Sequence, residues 1–91
     1  MAAASIEWNR IFEDGVKRHV LAERIGDEWT FQMRDKRFDP WLRVAEPPLD
    51  DWLELLDGVR RRIGRGLLKH EEEARVVKEI RRLFPGTAIP R

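Results

Sequence analysis

Trp29-Thr30-Phe31-Gln32-Met33-Arg34 is the stretch on which the reading of this chain turns. Trp29, Phe31 and Met33 alternate strictly with Thr30, Gln32 and Arg34. Residues two apart share one face of a strand, whereas a helix would scatter them, so the stretch predicts a half-buried β-strand. Gly26-Asp27, just before it, is a two-residue turn signal. The segment upstream, Val16 to Ile25, alternates as well, with Val16, Val20 and Ala22 on one parity and Leu21 and Ile25 on the other. Asp14-Gly15 then reads as a type I′ hairpin turn, in which both central residues need a positive φ. It is preceded by Ile6, Trp8, Ile11 and Phe12. Downstream, Asp35-Lys36-Arg37 is a polar turn. Pro40 leads into a short run, Trp41 to Val44, in which Leu42 and Val44 share a face.

One competing pattern exists. Trp8, Ile11, Phe12, Val16 and Val20 also fit helical spacing, with Ser5 as a cap. Gly15 would then lie inside the helix at a cost of about 1 kcal/mol. Val16, Val20 and Ile25 also favour strand, so the meander is preferred.

At Pro47-Pro48 the pattern changes. Pro48 suits the first position of a helix, and Asp50 and Asp51 suit its first turn, where the helix dipole favours negative charge. Trp52, Leu55, Leu56, Val59 and Ile63 form one apolar face. Gly64 or Gly66 ends the helix in the left-handed conformation, and Leu67 or Leu68 is expected to fold back onto it. A second helix opens near Lys69-His70 with Glu71, Glu72 and Glu73 in its first turn. It buries an arc of Val76, Val77, Ile80, Leu83 and Phe84, with Ala74 at one edge and Glu73 on the apolar side, and it stops at Pro85-Gly86. The expectation is therefore a single-domain α+β fold. A loose tail at residues 1–5 leads into an antiparallel β-meander of three to four strands over 6–46. An antiparallel helical hairpin over 48–86 follows, packed on the face of the sheet that carries Trp29, Phe31 and Met33, and residues 87–91 form a tail.

Charge divides at nearly the same place. Residues 1–57 hold 8 Lys+Arg against 13 Asp+Glu, and residues 58–91 hold 10 against 4, within a net charge of +1. A chain that is polar end to end implies contacts with a partner or between copies. Arg outnumbers Lys 14 to 4, which a GC-rich coding bias explains better than nucleic-acid contact does, since the net charge is small. There is no Cys, so disulfides, thiolate metal sites and Cys nucleophiles are excluded, and a reducing cytoplasm is the expected setting. The first five residues lack the basic and apolar regions of a secretory signal, and no apolar run is long enough to span a membrane.

Four groups of residues are candidates for function. Arg60, Arg61, Arg62 and Arg65, with Arg75, Lys78 and Arg82 on the second helix, are the residues that would meet phosphates. Glu71 and Glu79 interrupt the second ridge, Asp57 stands i, i+4 from Arg61, and neither helix contains Ser, Thr, Asn or Gln to read bases. An ion-paired, solvated face is the preferred reading. His70 with Glu73 has a metal-ligand spacing but supplies only two ligands, and His19 has no sequence partner, so no metal or cofactor is expected. Asp50 and Asp51 diverge on a helix and do not form a carboxylate pair. Ser5 is the only serine, and no phosphate loop is present. The aromatics are dense: four Trp and four Phe in 91 residues. Most must be core, but an exposed set at Trp8, Phe38 and Trp41 would mark a protein contact. The expected role is a small non-enzymatic interaction module with a protein partner or a second copy of itself. Weak backbone-directed nucleic-acid binding is the runner-up, and an enzyme whose site forms at a dimer interface is a distant third.

Overall fold

In the computed structural model, which describes residues 4–91, the period-2 segments are all strands. They are β1 (Ala4–Ile11), β2 (Lys17–Ile25), β3 (Glu28–Arg34) and β4 (Leu42–Val44), joined as an antiparallel sheet of order β1-β2-β3-β4. Two helices follow, α1 (Leu49–Gly64) and α2 (His70–Leu83), completing an α+β fold. The N-terminal helix reading is excluded, since Trp8 and Val20 are directly paired across β1 and β2. Of the expected loose tail, Ala4 and Ser5 belong to β1, and residues 1–3 lie outside the described residues. The chain divides into two compact units at Glu46/Pro47.

The first turn corrects the sequence reading. Among the described residues no non-glycine has a positive φ, so Asp14-Gly15 is not a type I′ turn. Instead Gly15 N–H donates to Phe12 C=O (2.9 Å), Phe12 N–H donates to Val16 C=O (3.0 Å), and Gly15 alone takes φ +78°. This is the longer hairpin loop in which a turn is followed by a left-handed glycine. The consequence is register. A two-residue loop at Asp14-Gly15 would set Ile6 opposite Glu23. The observed loop sets Ile6 opposite Ala22 and Trp8 opposite Val20. A one-residue slip exchanges the faces of a strand, so this loop is what aligns the apolar sets. Gly26 (φ +60°) makes the tight Gly26-Asp27 turn expected between β2 and β3.

Across the sheet the register collects Ile6, Val20, Ala22, Trp29 and Phe31 on one face, all buried. Trp8 meets Phe31 edge-on at 6.1 Å between ring centroids. The opposite face is largely polar. There the Gln32 amide donates to the Glu23 carboxylate (2.5 Å), and the Thr30 hydroxyl donates to Glu23 C=O (3.3 Å).

In the second unit Pro48 is the residue just before α1, in extended geometry, one place earlier than expected. Asp50 and Asp51 occupy the first turn, and Arg61 and Arg62 the last. Trp52, Leu55, Leu56 and Val59 are buried, as are Val76 and Ile80 on α2, and the two helices pack against each other. Gly66, not Gly64, carries the positive φ (+74°). Its N–H donates to Ile63 C=O (2.9 Å), and Leu67 N–H donates to Arg62 C=O (2.8 Å). Both bonds of a Schellman cap are therefore present; of the two leucines expected to fold back, Leu67 is exposed and Leu68 half-buried. On α2 the buried acid is Glu72, whereas Glu73 is half-exposed, Ala74 is exposed and Phe84 is only half-buried. Residues 87–91 have no regular structure, yet Arg60 donates from its guanidinium to Pro90 C=O.

Candidate contact site at the end of the sheet

The β3–β4 connection is shaped by one turn. Asp39 N–H donates to Lys36 C=O (3.0 Å), and the Asp39 carboxylate accepts Lys36 N–H in return (3.2 Å). Arg37 and Phe38 occupy the apex. A side chain at an apex has little to pack on, and Phe38 is 91% exposed. The Arg37 guanidinium lies 5.6 Å from its ring. Beside this tip, Met33 and Leu42 face each other across β3 and β4. With Arg34, Asp35, Asp39 and Pro40 they line a cleft of about 210 Å³. Leu42 is 62% exposed. Trp41 is half-buried, with the Arg34 guanidinium stacked 4.1 Å from its ring centroid. Such a cation–π contact holds both side chains in place and leaves one face of the ring covered.

Of the three aromatics proposed for contact, Phe38 and Trp41 thus share one connection, whereas Trp8 lies on β1 at the opposite edge of the sheet, against Phe31. The rest of the cleft was not legible in the sequence. Its members come together through the β3–β4 register and the turn at Lys36–Asp39. The usable signal was Phe38 itself, an aromatic placed between charged residues in a turn.

A second cluster, also unforeseen, adjoins this end. Arg10 and Arg18 are directly opposite on β1 and β2, a repulsive placement in isolation. Both guanidinium groups stack on Phe12, at 3.9 and 4.6 Å. Arg18 also donates to both oxygens of Asp14 (3.2 and 2.8 Å) and, through Nε, to Asp35 (2.8 Å). The Arg18 hydrogen bond, helped by Val16 N–H, holds the Asp14 carboxyl below its ordinary value of 3.8, and Asp14 and Asp35 raise the Arg18 pKa in turn. The cluster ties the first hairpin loop to the end of β3, and hence to the cleft that Asp35 lines.

The basic candidates on the helices are mostly committed within their own unit. Arg60 donates to Glu73 (2.5 Å), Arg61 pairs with Asp57 (3.2 Å), and Arg62 donates to Gly58 C=O (3.2 Å). Arg75 pairs with Glu72 (3.2 Å) and Arg82 with Glu79 (2.7 Å). Arg65 and Lys78 are exposed and carry no such bond. His70 is exposed and His19 half-buried. Glu73 is engaged by Arg60, and among the described residues no group of three or more acidic or histidine side chains is arranged to hold a metal. Asp50 is exposed and Asp51 buried, so the two carboxylates diverge. No helix among the described residues is long and apolar enough to cross a membrane. Comparison of the chain with protein-family models, with curated proteins and with solved structures finds no match.

Proposed function

We propose that this chain is a small non-enzymatic protein-interaction module whose contact surface is the β3–β4 end of the sheet. The observation that carries the reading is Phe38, held at the apex of a hydrogen-bonded turn with almost its whole ring in solvent, beside a cleft with apolar walls. An exposed aromatic next to an apolar hollow supplies the two parts of a protein contact: an anchor, and a pocket to receive one. Polar groups at the rim, Arg34, Asp35 and Asp39, supply direction. Nucleic-acid binding through the helices has less support, because Arg60, Arg61, Arg62, Arg75 and Arg82 already have partners.

The test is photo-crosslinking in cells from a photoreactive phenylalanine analogue at position 38, with the same group at Lys78 as control. Discrete protein adducts from position 38 and none from position 78 are expected. Adducts equal at both positions, or absent from position 38, would overturn the reading.

A further inference from the structure

The two outer strands of the sheet are finished differently. β4 is three residues long, with Pro40 shortly before it and Pro47-Pro48 shortly after. Short length and proline keep an edge strand from pairing with another chain. β1, the other outer strand, has neither. Its eight residues pair one to one with β2, without a bulge, and include no Pro, Gly or Lys.

The register shows which backbone groups of β1 face outward. Phe12 N–H donates to Val16 C=O (3.0 Å), and the pairing runs on from Ile11 with Lys17 to Ala4 with Arg24. Bonded and non-bonded pairs alternate in an antiparallel ladder. Arg10, Trp8 and Ile6 therefore bond to β2, and the N–H and C=O groups of Ser5, Glu7, Asn9 and Ile11 point away from it. All four residues are exposed, and among the described residues no other hydrogen bond engages them.

We propose that this edge pairs with the same edge of a second copy, β1 antiparallel to β1, about a two-fold axis at Trp8. Such an axis stands perpendicular to the continuous sheet, so residues set opposite each other share a face. Only the register centred on Trp8 bonds all four outward residues, Ser5 with Ile11 and Glu7 with Asn9. Centred on Glu7 it leaves out Ile11 and sets two Glu7 carboxylates directly opposite, which is repulsive. Centred on Asn9 it carries Ser5 beyond the end of the strand. At Trp8 no like charges stand opposite. Glu7 meets the Asn9 amide, Arg10 stands opposite Ile6, and the two Glu7 carboxylates are set apart on the diagonal. The two Trp8 rings make a cross-strand aromatic pair on the axis. This fit of the strand to its own two-fold image selects a second copy over an unrelated strand. The surface is separate from the β3–β4 contact proposed above, and the two stand or fall independently.

The experiment combines sedimentation equilibrium with amide hydrogen exchange on the purified full chain. The parent should dimerise. As it does, exchange at Ser5, Glu7, Asn9 and Ile11 should slow, whereas Ile6, Trp8 and Arg10 are protected already in the monomer. Asn9→Lys sets a cation opposite Glu7 twice in each dimer and should tighten association roughly 3- to 10-fold, and Asn9→Glu should weaken it by a similar factor. Glu7→Pro removes an outward N–H that β2 does not use and should weaken association roughly 10-fold or more, with circular dichroism checking the fold. A parent that stays monomeric at millimolar concentration would overturn the proposal. So would a dimer in which the four outward amides exchange as in the monomer, since association would then use another surface. Asn9→Lys weaker than the parent would also overturn it, because Asn9 would then face its own copy.

Discussion

The two units differ in how much apolar surface they leave in water. In the helical unit, most ion pairs are local: Asp57 with Arg61, Glu72 with Arg75 and Glu79 with Arg82 are three or four residues apart, the spacing at which helical neighbours meet, and Arg60 with Glu73 joins the two helices. In the sheet unit, Arg18 joins a near carboxylate, Asp14, to a distant one, Asp35. The sheet unit also leaves more apolar surface in water: Ile11, Val16, Ile25, Phe38 and Leu42 are exposed, against Leu67 and Leu83 in the helical unit. The lesson is that the run of arginines, the loudest feature of the sequence, is largely self-satisfied. Phe38 and Leu42 leave apolar surface in water at the β3–β4 end of the sheet.

Substitutions in the two cores separate packing from contact. Phe31 and Leu56 are both at most 2% exposed. Phe31→Ala should cost about 3–5 kcal/mol and Leu56→Ala about 2–5 kcal/mol, followed by thermal or urea unfolding. Phe38→Ala, in the same unit as Phe31, should change stability by no more than about 0.5 kcal/mol. Phe84, half-buried at the end of α2, should fall between. If Phe38→Ala unfolded the chain, Phe38 would be core and the contrast between the units would fail.

Gly66 and Gly64 give a smaller pair of opposite sign. At both positions an added Cβ meets nothing within 4 Å, so only backbone conformation decides. Gly66→Ala forces an alanine to φ +74° and should destabilise by about 1 kcal/mol. Gly64→Ala, in helical geometry, should stabilise by about 0.5 kcal/mol. The pair is read from melting temperatures, and equal signs would mean that the helix ends elsewhere.

The smallest effect is electrostatic. The Asp14 carboxyl is held below its unfolded value, so its contribution to the sheet unit is complete above about pH 4 and disappears as pH falls through the lowered value. The Val16 amide resonance, bonded to Asp14 at 3.0 Å, should shift with that titration, and in Arg18→Gln the midpoint should move up toward the ordinary aspartate value. An unchanged midpoint would mean that Arg18 is not what lowers it.

How far the sequence was legible follows from the range of the interactions. Period 2 at Trp29–Met33 and the apolar face at Trp52–Val59 are local signals, and both became the elements expected. The Asp14-Gly15 dipeptide marked a hairpin correctly but not its loop length, because a left-handed glycine serves either loop. That one residue decides whether Arg10 faces Arg18, so the cluster on Phe12 was hidden with it. Glu72 and Glu73 are neighbours on a helix, and a small error in phase exchanged the buried acid for the half-exposed one. The turn after β3 had a local signal in Asp35-Lys36-Arg37, but the cleft also needed the β3–β4 register, which has none.

The most direct test of the account is photo-crosslinking in cells, with the photoreactive group placed in turn at Phe38, Arg61, Arg65 and Lys78. The account predicts discrete protein adducts from position 38 and none from the three helical positions. Adducts from the helical positions, with none from position 38, would contradict it.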